Sequence, residues 1–225
     1  TDALTKQLHG MLDLSTLDAG VVEYHPQHFE LGPLFSRLAD DFSAQAMNKG
    51  LTLEVDDPDV TLFCDANVLE RILRNLISNA INNTDVGKVS FNTTKSTHNT
   101  IMINVSDSGV GIPVDQFSNI YVEYQQLQNP GRDRRKGLGL GLAIVKRLCA
   151  LGEFELDLAS TVGEGTSFSL TVPAGDPTQI ADYLSPVNLD KLDGAYVVII
   201  DDDEDVVVST KNMLQRWGCE ALDAL

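Results

Sequence analysis

Cationic residues are scarce in this 225-residue chain: 16 Lys and Arg stand against 33 Asp and Glu, for a formal net charge of −17. A surface that acidic repels polyanions as a whole, which argues against nucleic acid as a partner. Any phosphate ligand must be held by a local basic patch or a metal ion. Cysteine is also sparse. Cys64, Cys149 and Cys219 are odd in number and lack metal-ligand or redox spacing, so they read as small buried hydrophobes in a reducing compartment. His9, His25, His28 and His98 form no HExxH-like set. Nothing in these residues resembles a signal peptide or a run of about 18 apolar residues. No membrane contact by this chain is expected, and a cytoplasmic location is, although a parent protein could be membrane-anchored. Two phosphate motifs are missing as well. Without GxxxxGK[ST] there is no P-loop, and no strand precedes the glycines at 137–141, which excludes a Rossmann turn.

Hydrophobic residues make up 43% of the chain, enough for a core, and the length suits one domain plus part of another. Residues 2–19 read as the end of a helix, with Leu4, Leu8, Met11 and Leu12 at helical spacing and Gly20 as a stop. That stripe needs a partner helix. HFEL at 28–31 reads as a short strand, followed by a helix over about 33–48 closed by Gly50, and LTLEV at 51–55 as a half-buried strand. Residues 65–83 give the strongest helical pattern, carried by Val68, Leu69, Ile72, Leu73, Leu76, Ile77, Ala80 and Ile81. Strands are expected near 88–94 and 100–106, an irregular polar stretch over 113–136, a helix from near Gly137 to about 151, and a hairpin of FELDLAS and SFSLTVP. After a linker at 176–192, AYVVII reads as a strand of a parallel sheet and leads into DDDED and an amphipathic helix. One strand and one helix bury too little surface to be stable alone.

Four elements carry chemistry. Asn75, Asn79 and Asn82 border the apolar stripe of the strong helix and Asn83 follows; their amides suit a cation and a phosphate. Asp107–Ile112 (DSGVGI) follows a strand: Gly109 and Gly111 allow close backbone approach to a planar ligand, and Asp107 can accept a hydrogen bond from an exocyclic amine. Arg132, Arg134, Arg135 and Lys136 form a local basic patch, and Gly137, Gly139 and Gly141 open a helix whose free N–H groups favour anions. GEGTSF at 163–168 supplies a Gly-rich turn with a hydroxyl at Thr166. Singly each is weak; in this order and spacing they are specific.

The set NLISNA, DSGVGI, GLGLGLAIVKRL and GEGTSF resembles the N, G1, G2 and G3 boxes of two-component sensor histidine kinases, on the Bergerat-type ATPase fold. The resemblance covers about residues 29–173. HGMLDLSTLDAG at 9–20 is similar to the end of their second dimerisation helix, and VVIIDDDEDVVVSTKNMLQRWGCEALDAL to the start of a receiver domain, as in hybrid kinases. The implied fold is α+β, a two-layer sandwich with helices on one face of a mixed sheet. It comes with a short N-terminal helix and a truncated α/β receiver start. The implied domains are a dimerisation-helix end at 1–22, an ATP-binding catalytic domain at 23–175, a linker at 176–192 and the receiver start at 193–225.

The resemblance further implies ATP and Mg2+ as cofactors. Asp107 would bind the adenine amine, with Thr166 supporting it through water. Asn79 would ligate Mg2+ with Asn75 nearby. Residues 113–136 would form a lid and Gly137–Gly141, with Leu138 and Leu140 between them, would wrap the phosphates. Ile112, Tyr121, Arg135 and Lys136 complete the implied nucleotide site, and Asp201 and Asp202 would hold the receiver's Mg2+. The γ-phosphate would go to a His on a helix upstream of residue 1, in a homodimeric parent, and on to a receiver Asp, a response regulator or a phosphotransfer protein. Two positions depart from the family pattern. A basic residue and an aromatic usually stand three and four places after the metal Asn, where this chain has Asn82 and Asn83. A regulatory pseudokinase is therefore the alternative. A chaperone- or topoisomerase-type ATPase would need an activating acid in the Asn-rich helix, where Glu70 is the nearest carboxylate.

Overall fold

The computed structural model describes residues 14–95, 99–123, 139–180, 196–200, 207, 210–211, 214 and 218–224. The chain divides into two compact units, Thr1–Ile180 and Ala181–Leu225. In the first, strand β1 (Gln27–Glu30) leads into helix α1 (Leu31–Asn48), then β2 (Thr52–Val55), β3 (Thr61–Cys64) and helix α2 (Ala66–Asn83). β4 (Lys88–Lys95) and β5 (Thr100–Asp107) follow, then helix α3 (Gly141–Leu151), β6 (Glu155–Thr161) and β7 (Gly165–Pro173). Five strands form one mixed sheet in the order β2-β4-β5-β7-β6, with β2 parallel to β4 and the other pairs antiparallel.

The expected two-layer sandwich is what forms. β5 alternates in burial, with Ile101, Ile103 and Val105 inward against the helices. Its other face carries a polar ladder, as an antiparallel sheet with one uncovered face should. There Asn104 Nδ2 donates to Asn92 Oδ1 at 3.1 Å, and Ser169 Oγ donates to Asn104 Oδ1 at 2.8 Å. α2 buries the eight apolar residues that its periodicity singles out. Asp65 caps it, accepting from the N–H groups of Asn67 (2.9 Å) and Val68 (3.2 Å), which supplies two of the donors a helix start leaves open. Phe35 of α1 meets Phe91 of β4 edge-to-face at 5.0 Å between centroids, tying the helical layer to the sheet.

In this first unit three elements differ from the sequence expectation, and in the second the strand at Glu220–Ala224 is unexpected. TLFC at 61–64, which carries no strand signal in the sequence, is strand β3; it pairs antiparallel with β1 in a two-stranded ribbon apart from the main sheet. Leu31 opens α1 rather than closing the strand before it. α3 begins at Gly141, not near Gly137, because Gly139 has φ +73, a left-handed conformation that a right-handed helix cannot include. Residues 14–18 are helical and Gly20, at φ +66, ends that segment as expected. Leu14 is buried in the main core. The stripe of Leu4, Leu8, Met11 and Leu12 lies outside the described residues.

In the second unit, β8 (Tyr196–Ile200) pairs in parallel with β9 (Glu220–Ala224). Val207, Thr210, Lys211 and Leu214 are helical, and Ile199, Val207 and Ala221 form a small buried cluster with Leu214 against it. All three cysteines are free and buried.

Candidate functional site

The C-terminal end of β5 delivers Asp107 into a crossing of four segments. Asp107 is the register partner of Thr166 on β7 and of Val89 on β4. Its Oδ1 accepts from the N–H of Gly109 at 2.8 Å. Burial raises its pKa above the ordinary 3.8, and hydrogen bonds from the Gly109 and Thr166 backbone pull the other way. The result is a partly desolvated acceptor at the end of a central strand.

Close packing explains the glycines around it. A Cβ on Gly109 would stand 2.3 Å from the carbonyl oxygen of Asn83, at the end of α2. One on Gly111 (φ +69) would stand 2.1 Å from Thr161 O, and one on Gly165 (φ +122) 1.9 Å from Asp107 O. The 107–112 loop thus lies against α2 on one side and the β6–β7 turn on the other, with no room for a side chain at these points. Sequence reasoning missed the residue that pins this junction. Ser160, opposite Thr166 in the β6–β7 register, accepts from Ile112 N (2.8 Å), donates to Gly165 O (2.8 Å) and lies 3.0 Å from Thr166 Oγ1. Its only sequence signal is a small hydroxyl residue in an alternating strand. Thr166 itself is buried, and its hydroxyl finds its polar partner in Ser160.

The asparagines lie on α2, whose end meets this junction. Asn75 Nδ2 donates to Arg71 O at 2.8 Å, and its Oδ1 lies 3.1 Å from where a Cβ on Gly141 would be. The start of α3 therefore abuts α2 at Asn75. Leu140 provides no side-chain cap for α3, so the first N–H groups of that helix have no partner from it. One turn on, Asn83 Nδ2 donates to both the backbone oxygen (2.8 Å) and Oδ1 (2.9 Å) of Asn79. An amide oxygen has two lone pairs, so Asn79 keeps one for a further partner. Asn82 is exposed, 3.4 Å from Ser78 Oγ.

Tyr121 sits in a short 3-10 turn (Asn119–Tyr121), half-buried, with the Lys146 ammonium 5.5 Å from its ring centroid. Burial raises its pKa. With Val122, Glu123, Lys146, Arg147 and Ala150 it lines a groove of about 590 Å³ on the flank of α3. Arg135, Lys136, Gly137 and Leu138, and likewise Asp201 and Asp202, lie outside the described residues. Gly139, Leu140 and Gly141 lead into α3 next to Asn75.

Known proteins resemble this chain in sequence and fold. The family model described as histidine kinase-, DNA gyrase B-, and HSP90-like ATPase matches residues 64–176. Hybrid signal transduction histidine kinase B of Dictyostelium discoideum is 31% identical over 177 residues, which is 76% of this chain and 9% of that protein. The circadian input-output histidine kinase CikA of Synechococcus elongatus is 27% identical over 223 residues, 97% of this chain and 29% of that protein. Among solved structures, full-length ShkA in complex with AMPPNP aligns with a TM-score of 0.69 at 26% identity, covering all of this chain and 46% of that one. The chain thus spans less than a third of the length of either curated relative.

Proposed function

Because the chain belongs to the histidine kinase-, DNA gyrase B- and HSP90-like ATPase family, with sensor and hybrid histidine kinases as relatives, we propose that it is the ATP-binding catalytic module of such a kinase. Its task is to hand the γ-phosphate of ATP to a histidine on a dimerisation helix not contained in this sequence. The P–O bond to ADP breaks, a P–N bond forms, and the phosphoryl group then moves to a receiver Asp. One observation carries the proposal: Asp107, Gly109, Gly111, Thr166 and Ser160 meet at one junction, where the 107–112 loop lies against the end of α2 and the β6–β7 turn.

In this scheme Asp107 accepts from the adenine amine, and Thr166, aligned by Ser160, supports it through water. Ile112 and Tyr121 border the base. Asn75, Asn79, Asn82 and Asn83 face the phosphates. Arg135, Lys136 and the Gly137–Gly141 segment, with Leu138 and Leu140, wrap them, and the open N–H groups of α3 take negative charge. Asn79 offers one neutral oxygen, and no group of three or more His, Cys, Asp or Glu able to hold a metal occurs among the described residues. That donor set fits Mg2+ arriving with ATP and keeping several waters, rather than an ion the protein holds alone. Bound there, Mg2+ would offset charge on the phosphates. Placement and charge compensation are most of what phosphoryl transfer asks of a protein.

The same reading assigns residues 1–22 to the end of a dimerisation helix and 193–225 to the start of a receiver, with Asp201 and Asp202 as its Mg2+ ligands. It implies a homodimeric parent that works with its own receiver domain and a downstream response regulator or phosphotransfer protein, in the cytoplasm. No helix among the described residues is long and apolar enough to cross a membrane.

The bond from Asn83 to Asn79 Oδ1 favours a second possibility, a regulator that binds nucleotide without transferring phosphate. Glu70 gives no support to a stand-alone ATPase. It pairs with Arg37 of α1 and, at 2.8 Å, with Arg74. Calorimetric titration with Mg-ADP and a non-hydrolysable ATP analogue, on wild type and Asp107→Asn, tests the site. Saturable binding lost in the variant supports it, and no binding at millimolar nucleotide refutes it. Transfer to a His-containing dimerisation hairpin then separates kinase from regulator.

A further inference from the structure

A helix ends with four carbonyls that have no intrahelical donor. At the end of α2 those four, of Ala80, Ile81, Asn82 and Asn83, are each met, and so are the flanking oxygens of Asn79 and Thr84. Asn79 O accepts from Asn83 Nδ2 and Ala80 O from Thr84 Oγ1, each at 2.8 Å. Asn83 O faces Val110 N at 3.4 Å. The oxygens of Ile81, Asn82 and Thr84 all accept from a single ammonium, Lys49 Nζ, at 2.8, 3.0 and 2.9 Å. Three bonds use every donor an ammonium has.

Lys49 comes from another element. It is the residue at which α1 ends, its own N–H closing that helix on Ala46 O at 3.1 Å. Gly50, at φ +71, then turns the main chain away, and the Lys49 side chain crosses to α2. Asp85 Oδ1 is 3.9 Å from the ammonium but 90% exposed, so water screens most of that pairing.

We propose that Lys49 is a positioning residue for the polyphosphate half of the nucleotide site, acting through α2; this rests on the nucleotide-binding reading above. The last turns of α2 carry Asn79, Asn82 and Asn83, and they form the end at which a helix dipole is negative. A polyphosphate there meets repulsion unless a cation offsets it. Lys49 supplies that charge, and its three bonds fix the turn from which Asn79 and Asn83 project. Position 82, where the family pattern places a basic residue, is Asn in this chain, and the cation at this turn is Lys49, bonded to the backbone oxygen of Asn82. An uncharged base and ribose held at Asp107 feel little of this field, so loss of Lys49 separates phosphate affinity from base affinity.

The test is a pair of 1H–15N NMR titrations of the full chain. One uses adenosine and the other Mg2+ with a non-hydrolysable ATP analogue, on wild type, Lys49→Met and Lys49→Arg. Lys49→Met is expected to lose about threefold to tenfold in affinity for the analogue while adenosine affinity stays within about twofold. Lys49→Arg keeps the charge and is expected to recover most of the loss. If Lys49→Met does not fold, Lys49→Gln, which keeps two donors without the charge, is read in the same way. Equal weakening of both ligands, or weakening of neither, overturns the role of Lys49 and leaves the nucleotide site standing. A wild type that binds neither ligand overturns both.

Discussion

Arg147 of α3 donates to both carboxylate oxygens of Asp18, from Nε at 2.6 Å and from Nη2 at 3.3 Å, across 129 positions of sequence. Its Nη2 also reaches Glu123 at 2.6 Å. The helical segment at 14–18, the end of the 3-10 region and the helix behind the glycine-rich stretch therefore meet at one guanidinium. The side chains of Arg147 and Asp18 are 30% and 55% exposed, so water and salt weaken the pair. A double-mutant cycle of Asp18→Asn and Arg147→Gln in urea unfolding should give a coupling of about 0.5–1 kcal/mol at low salt. It should shrink clearly in 1 M NaCl. Zero coupling at low salt would mean that the contact is not held in solution.

Asp107 links binding and stability with opposite signs. Its pKa is raised in the folded protein, so the folded state holds that proton more tightly than the unfolded chain does. Its contribution to stability is full below the unfolded pKa and lost as pH rises through the folded one. Asp107→Asn should therefore raise the melting temperature of the ligand-free protein at pH 7, by about 2 °C, while removing nucleotide affinity. In the wild type, affinity should start to fall, on acidification, at a higher pH than an unperturbed aspartate would give. A variant that melts lower than wild type at pH 7 would contradict the desolvation argument.

Two glycines in one turn make a controlled pair. Gly163 and Gly165 both have positive φ, at +84 and +122, but a Cβ meets nothing within 4 Å at Gly163 and Asp107 O at 1.9 Å at Gly165. Gly163→Ala should cost about 1 kcal/mol, the backbone penalty alone. Gly165→Ala should cost about 3 kcal/mol or more, or prevent folding, since backbone must move. Equal melting temperatures for the two variants would show that the turn relaxes freely.

Position 82 offers a gain. Its side chain is exposed and, among the described residues, holds a 3.4 Å contact with Ser78. Asn82→Lys should tighten Mg-ATP-analogue binding by about threefold to tenfold, the scale of one added charge at a helix end, with little change in stability. An unchanged dissociation constant would show that this side chain does not face the phosphates.

Thiol chemistry offers a simple check on the core. Burial pushes the Cys149 thiol up to about 12 and raises Cys64 further still. Neither should react with Ellman's reagent at pH 8 until the protein is unfolded. Prompt labelling of either would contradict the packing around α3 or β3.

What the sequence made legible follows from how each signal is encoded. The eight core positions of α2 repeat at helical spacing, so a single helix writes them into consecutive residues. Asp107, Gly109, Gly111 and Thr166 stand out because tight turns and close backbone approach tolerate few residue types. β3 gives no such sign. It has four residues, and its pairing partner β1 lies more than thirty positions away. Ser160 and Lys49 were missed for the same reason: each acts by bridging segments that only the tertiary structure brings together. The start of α3 was misplaced because glycines signal both a turn and a helix opening. The left-handed φ of Gly139 decides between them.

The strand order carries a last consequence. β5 is the middle of five strands, hydrogen-bonded on both sides, whereas β2 and β6 are the edges. Strands fray from the edges inward, so the carboxylate at the end of β5 rides on the segment that opens last. Amide exchange at 101–107 should then report the stability of the whole unit. Base recognition would survive any partial opening that frees only a border strand. In the proposed site the phosphates would instead be held at helix ends, which fray more readily than a central strand. The two halves of one ligand would thus be held by parts of the molecule that loosen on different timescales, the base by the slow part and the phosphates by the fast one.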